Sequence, residues 1–261
     1  MSSADTPIAD NGTLDRDETT TIRFRDVVAA EVTKIITHPA TLLAVALALV
    51  VNLALGVVDA AGLVRLSVGD RLVPVSELGS VMFAPAYLFL ILPVIAAGSE
   101  YASGQLRITL AAVPQRGRLA AAKLAALLGI TTPAALVTLA PGRLTLTLAD
   151  GRGFAGALAD LGLWTLAYTL MALIAYALTG IIRSSVASLS LLVLIPILIA
   201  TGILQWPLVV RFLPDQLALS MLSTPGYTVT ELPPVIAAVM LTAWALAPSG
   251  MNFAMLVRRD S

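Results

Sequence analysis

Leu161–Ile182 reads LGLWTLAYTLMALIAYALTGII, twenty-two residues without a charge. A helix needs about 20 mostly apolar residues to cross the hydrocarbon core of a bilayer. Inside that core every backbone polar group needs an internal partner, which a helix supplies. Working outward, five more charge-free runs appear: Ala40–Val58, Leu78–Ser99, Leu124–Gly142, Ser184–Val210 and Leu232–Val257. The expected spans cover about 40–58, 78–99, 119–142, 161–182, 184–206 and 232–257. A water-soluble bundle would need amphipathic helices instead. The expected fold is an all-α polytopic membrane protein with six transmembrane helices and an N-terminal interfacial amphipathic helix.

Composition agrees. Charged residues make up 12% of the chain and apolar ones 58%, against about 25% charged in a typical soluble domain. Sixteen basic and sixteen acidic residues cancel, so no basic field points to nucleic acid. Without cysteine there is no disulfide, thiol chemistry or iron–sulfur ligation. Residues 1–20 are polar and are expected to form a disordered cytoplasmic tail, with 21–261 as one transmembrane domain. The polar, acidic start is unlike a secretory signal.

Six spans place both termini on one side, and positive residues choose the side. Cytoplasmic termini put Arg16, Arg23, Arg25, Lys34, Arg107, Arg116, Arg118, Lys123, Arg183, Arg258 and Arg259 inside. Arg65, Arg71, Arg143, Arg152 and Arg211 are then outside, eleven against five. Arg116, Arg118 and Lys123 read as headgroup anchors for the third span.

Ile22–His38 reads as an amphipathic helix with Phe24, Val27, Val28, Val32, Ile35 and Ile36 on one face. Glu31 falls inside that apolar arc. A carboxylate there either reaches water at headgroup level or packs against protein and needs a cationic partner; Arg107 and Arg183 are the candidates on that side. On the other side, Val64–Val75 alternates around Gly69–Asp70, a hairpin signal. Leu144, Leu146 and Leu148 before Asp150–Gly151 give a weaker one. Gln216–Leu222 is too short to span and reads as a re-entrant or surface helix.

Absent chemistry narrows the function. No phosphate-binding loop is present, so ATP hydrolysis on this chain is not expected. The only histidine is His38, which removes zinc-protease and serine–histidine motifs. The charge-free runs lack the midplane ionisable groups usual in ion-coupled carriers. Thr165, Tyr168, Thr169 and Tyr176 share roughly one helical face, either as packing hydrogen-bonders or as the lining of a path. No catalytic, cofactor or metal site is expected.

The segment from Gly98 to Arg118 is the sharpest local signal. Glu100, Tyr101 and Gly104 precede an apolar stripe at Leu106, Ile108 and Leu110, with Arg107 beside it and Pro114 closing it. An apolar patch rimmed by charge is a docking surface. Together with Glu31 and Lys34, with the order Gly98, Glu100, Gly104, Gln105, Pro114, Arg116, Lys123, and with the closing Arg258-Arg259-Asp260, the chain resembles the ABC-2 type permeases. These are the membrane subunits of ATP-binding-cassette exporters. Gln105 stands where the family usually has Thr.

That resemblance implies a coupling helix formed by Glu100, Tyr101, Gly104, Leu106, Arg107, Ile108, Leu110 and Pro114, docked on a cytoplasmic ATPase in two copies. It implies a second permease subunit, ATP and Mg held by the partner ATPase, and a plasma-membrane location. The transported substrate is expected to be amphiphilic or hydrophobic. An ion-coupled carrier and a non-transporting immunity or assembly protein are the alternative readings.

Overall fold

A computed structural model of the chain describes residues 23–68, 70–103, 115–204, 206–224 and 232–258. The described part is a helix bundle with one small hairpin. Helix α1 is Phe24–Ile36 and α2 is Pro39–Ala60. Strands β1 (Arg65–Val68) and β2 (Arg71–Pro74) pair antiparallel, with Arg65 opposite Pro74 and Val68 opposite Arg71. This is the hairpin expected from Val64–Val75. It is tied back to α2 where the Ser76 amide donates to Asp59 Oδ1 at 2.8 Å.

Gly79–Tyr101 forms one apolar crossing in three pieces: α3 (Gly79–Phe83), α4 (Pro85–Phe89) and α5 (Ile91–Ser103). Pro85 opens α4; a proline lacks the N–H that a continuous helix would need there. Helices α6 (Arg116–Ala149) and α7 (Gly153–Ile182) follow, then α8 (Ser185–Ala200), α9 (Pro207–Val210), α10 (Pro214–Met221) and α11 (Pro234–Arg258). Arg183 in the left-handed region (φ 62°) ends α7, and the Ser184 side chain caps α8 by accepting from the Ala187 amide.

Helix α7 is the spine, packing against α5, α6, α8, α10 and α11. Trp164 and Tyr168 on α7 meet Phe83 and Phe89, with ring centroids 5.3 to 6.1 Å apart. By contrast α2 and α11 turn leucines, valines and isoleucines outward, among them Leu42, Leu43, Val50, Val235, Val239 and Leu246. A buried spine beneath an apolar exterior is the arrangement of a bundle whose solvent is lipid. Five of the helical segments are long and apolar enough to cross a membrane, counting Gly79–Tyr101 as one.

The structure corrects three expectations. Residues 144–149 are not a strand: α6 runs unbroken to Ala149, because the alternating Thr145 and Thr147 turn their hydroxyls back onto the Pro141 and Arg143 carbonyls. At 34 residues α6 is about 50 Å long, more than the hydrocarbon core requires. The run Ser184–Val210 holds a helix of only 16 residues, which stops at Ala200 beside Gly202 at φ 73°. Absence of charge did not mean continuity of helix. The short helix expected at 216–222, re-entrant or on the surface, is α10; it is buried against α7 and α11, which removes the surface alternative.

Helices α2 and α6 cross with their backbones in close approach. A Cβ on Gly142 would sit 2.3 Å from the Asn52 carbonyl oxygen, and one on Gly56 would sit 2.4 Å from the Gly142 carbonyl oxygen. Small residues let membrane helices approach to this distance. Gly142→Ala should therefore push the two backbones apart and cost about 1–3 kcal/mol. Gly129→Ala, with open space around its Cβ position, should be neutral or slightly stabilising. Thermal melting of the two variants in detergent checks this; equal midpoints would refute the crossing.

Candidate functional site

Four ionised side chains close into a buried ring at the end of the bundle where α1, the end of α5 and the start of α6 meet. Helix α1 supplies Glu31 and Lys34, one turn apart, α5 supplies Glu100, and α6 supplies Lys123. Glu31 Oε2 takes Lys34 Nζ at 2.6 Å and Glu31 Oε1 takes Lys123 Nζ at 3.0 Å. Glu100 Oε1 accepts from both lysines. Each charge thus has two opposite neighbours, and the four sum to zero. Glu31, Glu100 and Lys123 are only 8%, 5% and 6% exposed.

Local sequence explains the placement. Glu31 shares the buried stripe of α1 with Val27 and Ile35. On α6, Lys123 shares a face with Leu119, Ala126 and Leu127, all buried. Burial raises the Glu31 carboxyl, but Lys123 and Lys34 together outweigh it and hold the group below its ordinary 4.5. Burial lowers the Lys34 amine, yet Glu100 and Glu31 outweigh it and keep it above its ordinary 10.5.

Two sequence expectations change here. Glu31 is paired against protein, but its partners are Lys34 and Lys123 rather than Arg183; Arg107 lies outside the described residues. Lys123 is no headgroup anchor, and the stripe i−4, i+3, i+4 of apolar residues around it was the available signal. Glu100 faces α1 and α6 rather than a surface partner, and the Tyr101 hydroxyl donates to the Gly180 carbonyl at 3.2 Å. Gly104, Leu106, Arg107, Ile108, Leu110 and Pro114 lie outside the described residues.

The face Thr165, Tyr168, Thr169 and Tyr176 is buried within this single chain. The threonine hydroxyls donate to the Leu161 and Thr165 carbonyls of their own helix, and Asn52 donates to the Tyr168 oxygen at 3.4 Å. At the hairpin end, Arg143 grips Asp160 through two hydrogen bonds of 2.8 Å and lies 4.2 Å from the Trp164 ring centre. No group of metal-ligating side chains gathers among the described residues.

No family model matches the chain, and neither does any curated protein.

Removing one member of a buried ion pair costs about 3–5 kcal/mol. Glu31→Gln and Lys123→Met should each destabilise the detergent-solubilised protein on that scale. The double variant, which keeps the ring neutral through Lys34 and Glu100, should lose well under the sum. The Glu31 contribution is present above pH 4.5 and fades as pH falls through its lowered pKa. The Lys34 contribution is present below pH 10.5 and fades as pH rises through its raised pKa. The melting gap between the native protein and Glu31→Gln should therefore be flat from about pH 5 to 10 and close below that window; additive single costs would dissolve the ring.

Proposed function

We propose that the chain is the permease subunit of an ATP-binding-cassette exporter of the ABC-2 type. In this reading it works with a second permease subunit and two cytoplasmic ATPase subunits, which hold ATP and Mg. One observation carries the reading. Glu31, Lys34, Glu100 and Lys123, all drawn from the motifs behind the resemblance, come from three separate stretches of the sequence yet meet in one ring. Two of them flank the segment from Gly104 to Pro114, the expected ATPase-docking element. A push on that segment would reach α5 through Glu100, α6 through Lys123 and α1 through both.

Further support comes from where charge is missing. On the long helices Glu100, Lys123, Arg143 and Asp160 lie toward the ends, as ATP-driven export allows and ion coupling at the midplane does not favour; Asp215, buried on the short α10, is the exception. In the full reading α8 with its flanking residues completes six spans, both termini are cytoplasmic, the membrane is the plasma membrane, and the cargo is amphiphilic or hydrophobic.

Orientation is testable because the chain has no cysteine. Single cysteines at Ser67 and Ala149 should react with an impermeant maleimide added to intact cells, and one at Ser103 should not. Labelling at Ser103 would invert the topology.

The coupling role has its own test. The chain purified in mild detergent should bring a soluble ATPase with it, and ATP should drive flux in the reconstituted complex. Leu106→Ala removes a central apolar anchor, worth about 2 kcal/mol or more in a docked interface. It should release the ATPase or uncouple hydrolysis from transport, whereas Arg118→Ala at the rim should not. Equal behaviour of the two variants, or flux that ignores ATP, would overturn the exporter reading.

A further inference from the structure

Helices α9 and α10 enter the bundle from the hairpin end without crossing it. The Trp244 indole N–H donates to the Phe212 carbonyl at 2.9 Å. Trp244 lies ten residues after Pro234, where α11 begins, or about 15 Å along the helix axis. Outward-facing apolar side chains start on α11 at Val235, so in a bilayer the Phe212 turn is pinned at hydrocarbon depth. Helix α10 starts two residues later, with Asp215 in its first turn.

Asp215 and Gln216 are each 4% exposed. Gln216 Nε2 donates to Asp215 Oδ2 at 2.9 Å. Glu31, Glu100 and Asp160 each face a cation, but among the described residues no cation pairs with Asp215. Helices α11, α7 and α3 pack against α10. The one charged residue of α11 is Arg258, at the ring end, and α3 has none. Helix α7 carries Asp160, Tyr168 and Tyr176. Arg143 grips Asp160, Tyr168 accepts from Asn52, and Tyr176 lies beside Glu100 and Lys123. Arg211, four residues before Asp215, lies instead over the Phe212 ring, 4.7 Å from its centre.

A buried carboxylate without a facing cation escapes the cost of its charge by taking up a proton. A side-chain amide both donates and accepts, so Gln216 can partner the acid as well as the carboxylate. An ionisable group at membrane depth, on a helix that enters and does not cross, is where membrane proteins place proton and ion sites. We propose that Asp215 is a proton-binding site that governs the packing of α10: the helix seats against α11 as the carboxylic acid, and loss of the proton releases it. The step breaks one O–H bond, hands the proton to water at the hairpin end and leaves the charge on the carboxylate. The proposal rests on this placement and stands whether or not an ATPase docks.

The test is hydrogen exchange of the α10 amides, read by mass spectrometry on the full chain in nanodiscs, with native protein and Asp215→Asn side by side. Asparagine keeps the size of the acid and cannot ionise. Taking the native-to-variant ratio of opening at each pH cancels the pH dependence of exchange itself. Once released, Asp215 ionises near its ordinary pKa of about 3.9. Up to about pH 4 the ratio should therefore sit near one. Above that it should rise, by about tenfold per pH unit at most, and level off once the packed carboxyl also ionises. Peptides of α1, at the ring end, should show no such rise. A ratio that stays flat from about pH 4 to 8 would overturn the proposal. So would a rise shared equally by α1, which would mark global unfolding, or a ratio that ignores pH and responds to sodium, which would assign the carboxylate to a metal cation. Should the Asn variant fail to fold, Asp215→Ser serves as the neutral reference.

Discussion

Closing the ring of Glu31, Lys34, Glu100 and Lys123 is the constraint on which the ring end of the molecule depends. Taking a single carboxylate or ammonium out of water costs several kcal/mol, and one opposite charge seldom repays it. Here every charge has two opposite neighbours, and three of the four side chains are nearly excluded from solvent. The arrangement works only when α1, α5 and α6 are all in place. It therefore acts as a specificity device as much as a source of stability. Without these pairings helix α1 would be an amphipathic segment free to slide on a membrane surface; with Glu31 and Lys34 locked to Glu100 and Lys123, its register against α6 is fixed.

At the other end of the bundle the same problem has a different answer. Arg143 and Asp160 satisfy each other in a two-pronged pairing, with the guanidinium also lying against Trp164. The planar fork suits a two-helix contact, whereas the compact ammonium of Lys123 suits a junction of three elements. Between the two ends the threonines of α7 are small and self-contained, and Asn52 and Tyr168 satisfy each other across helices. Thr165, Thr169 and Thr179 donate to carbonyls of their own helix, so these side chains are buried without asking neighbouring helices for hydrogen bonds. Apolar packing and the α2–α6 glycine crossing carry the middle.

Much of this was legible from residue type and spacing. Charge-free length located the helices, and the alternation around Gly69–Asp70 located the hairpin. The position of Glu31 inside an apolar arc pointed to a buried partner. What failed had physical causes. A charge is a poor marker of a helix end here, because Arg143 and Asp160 neutralise each other and the helices continue through them. The helix within Ser184–Val210 stops at Ala200, beside a left-handed turn at Gly202 to which hydropathy is blind. The basic neighbours of Lys123 suggest a headgroup anchor, whereas Leu119, Ala126 and Leu127 mark its helical face as buried. Partners far apart in sequence are the part that periodicity cannot supply: nothing local tells Glu31 that position 123, and not 183, will be opposite.

A closed, neutral ring also constrains how this end of the bundle can move. Separating α1 from α6, or α5 from α6, would leave at least one buried carboxylate with fewer donors and one ammonium with fewer acceptors. Partial opening is therefore the costliest arrangement, and the low-energy choices are the intact ring or an opening wide enough to admit water to all four groups. Displacement of the chain between Ser103 and Gln115 would then carry α1, the end of α5 and the start of α6 as one body. Strain would fall on the joints beyond the ring: the proline-broken path of α3 to α5 and the prolines within α6 at Pro133 and Pro141. Rigid ends joined to a centre with interrupted backbone hydrogen bonding are what a bundle needs if a push at one face is to change packing at the other.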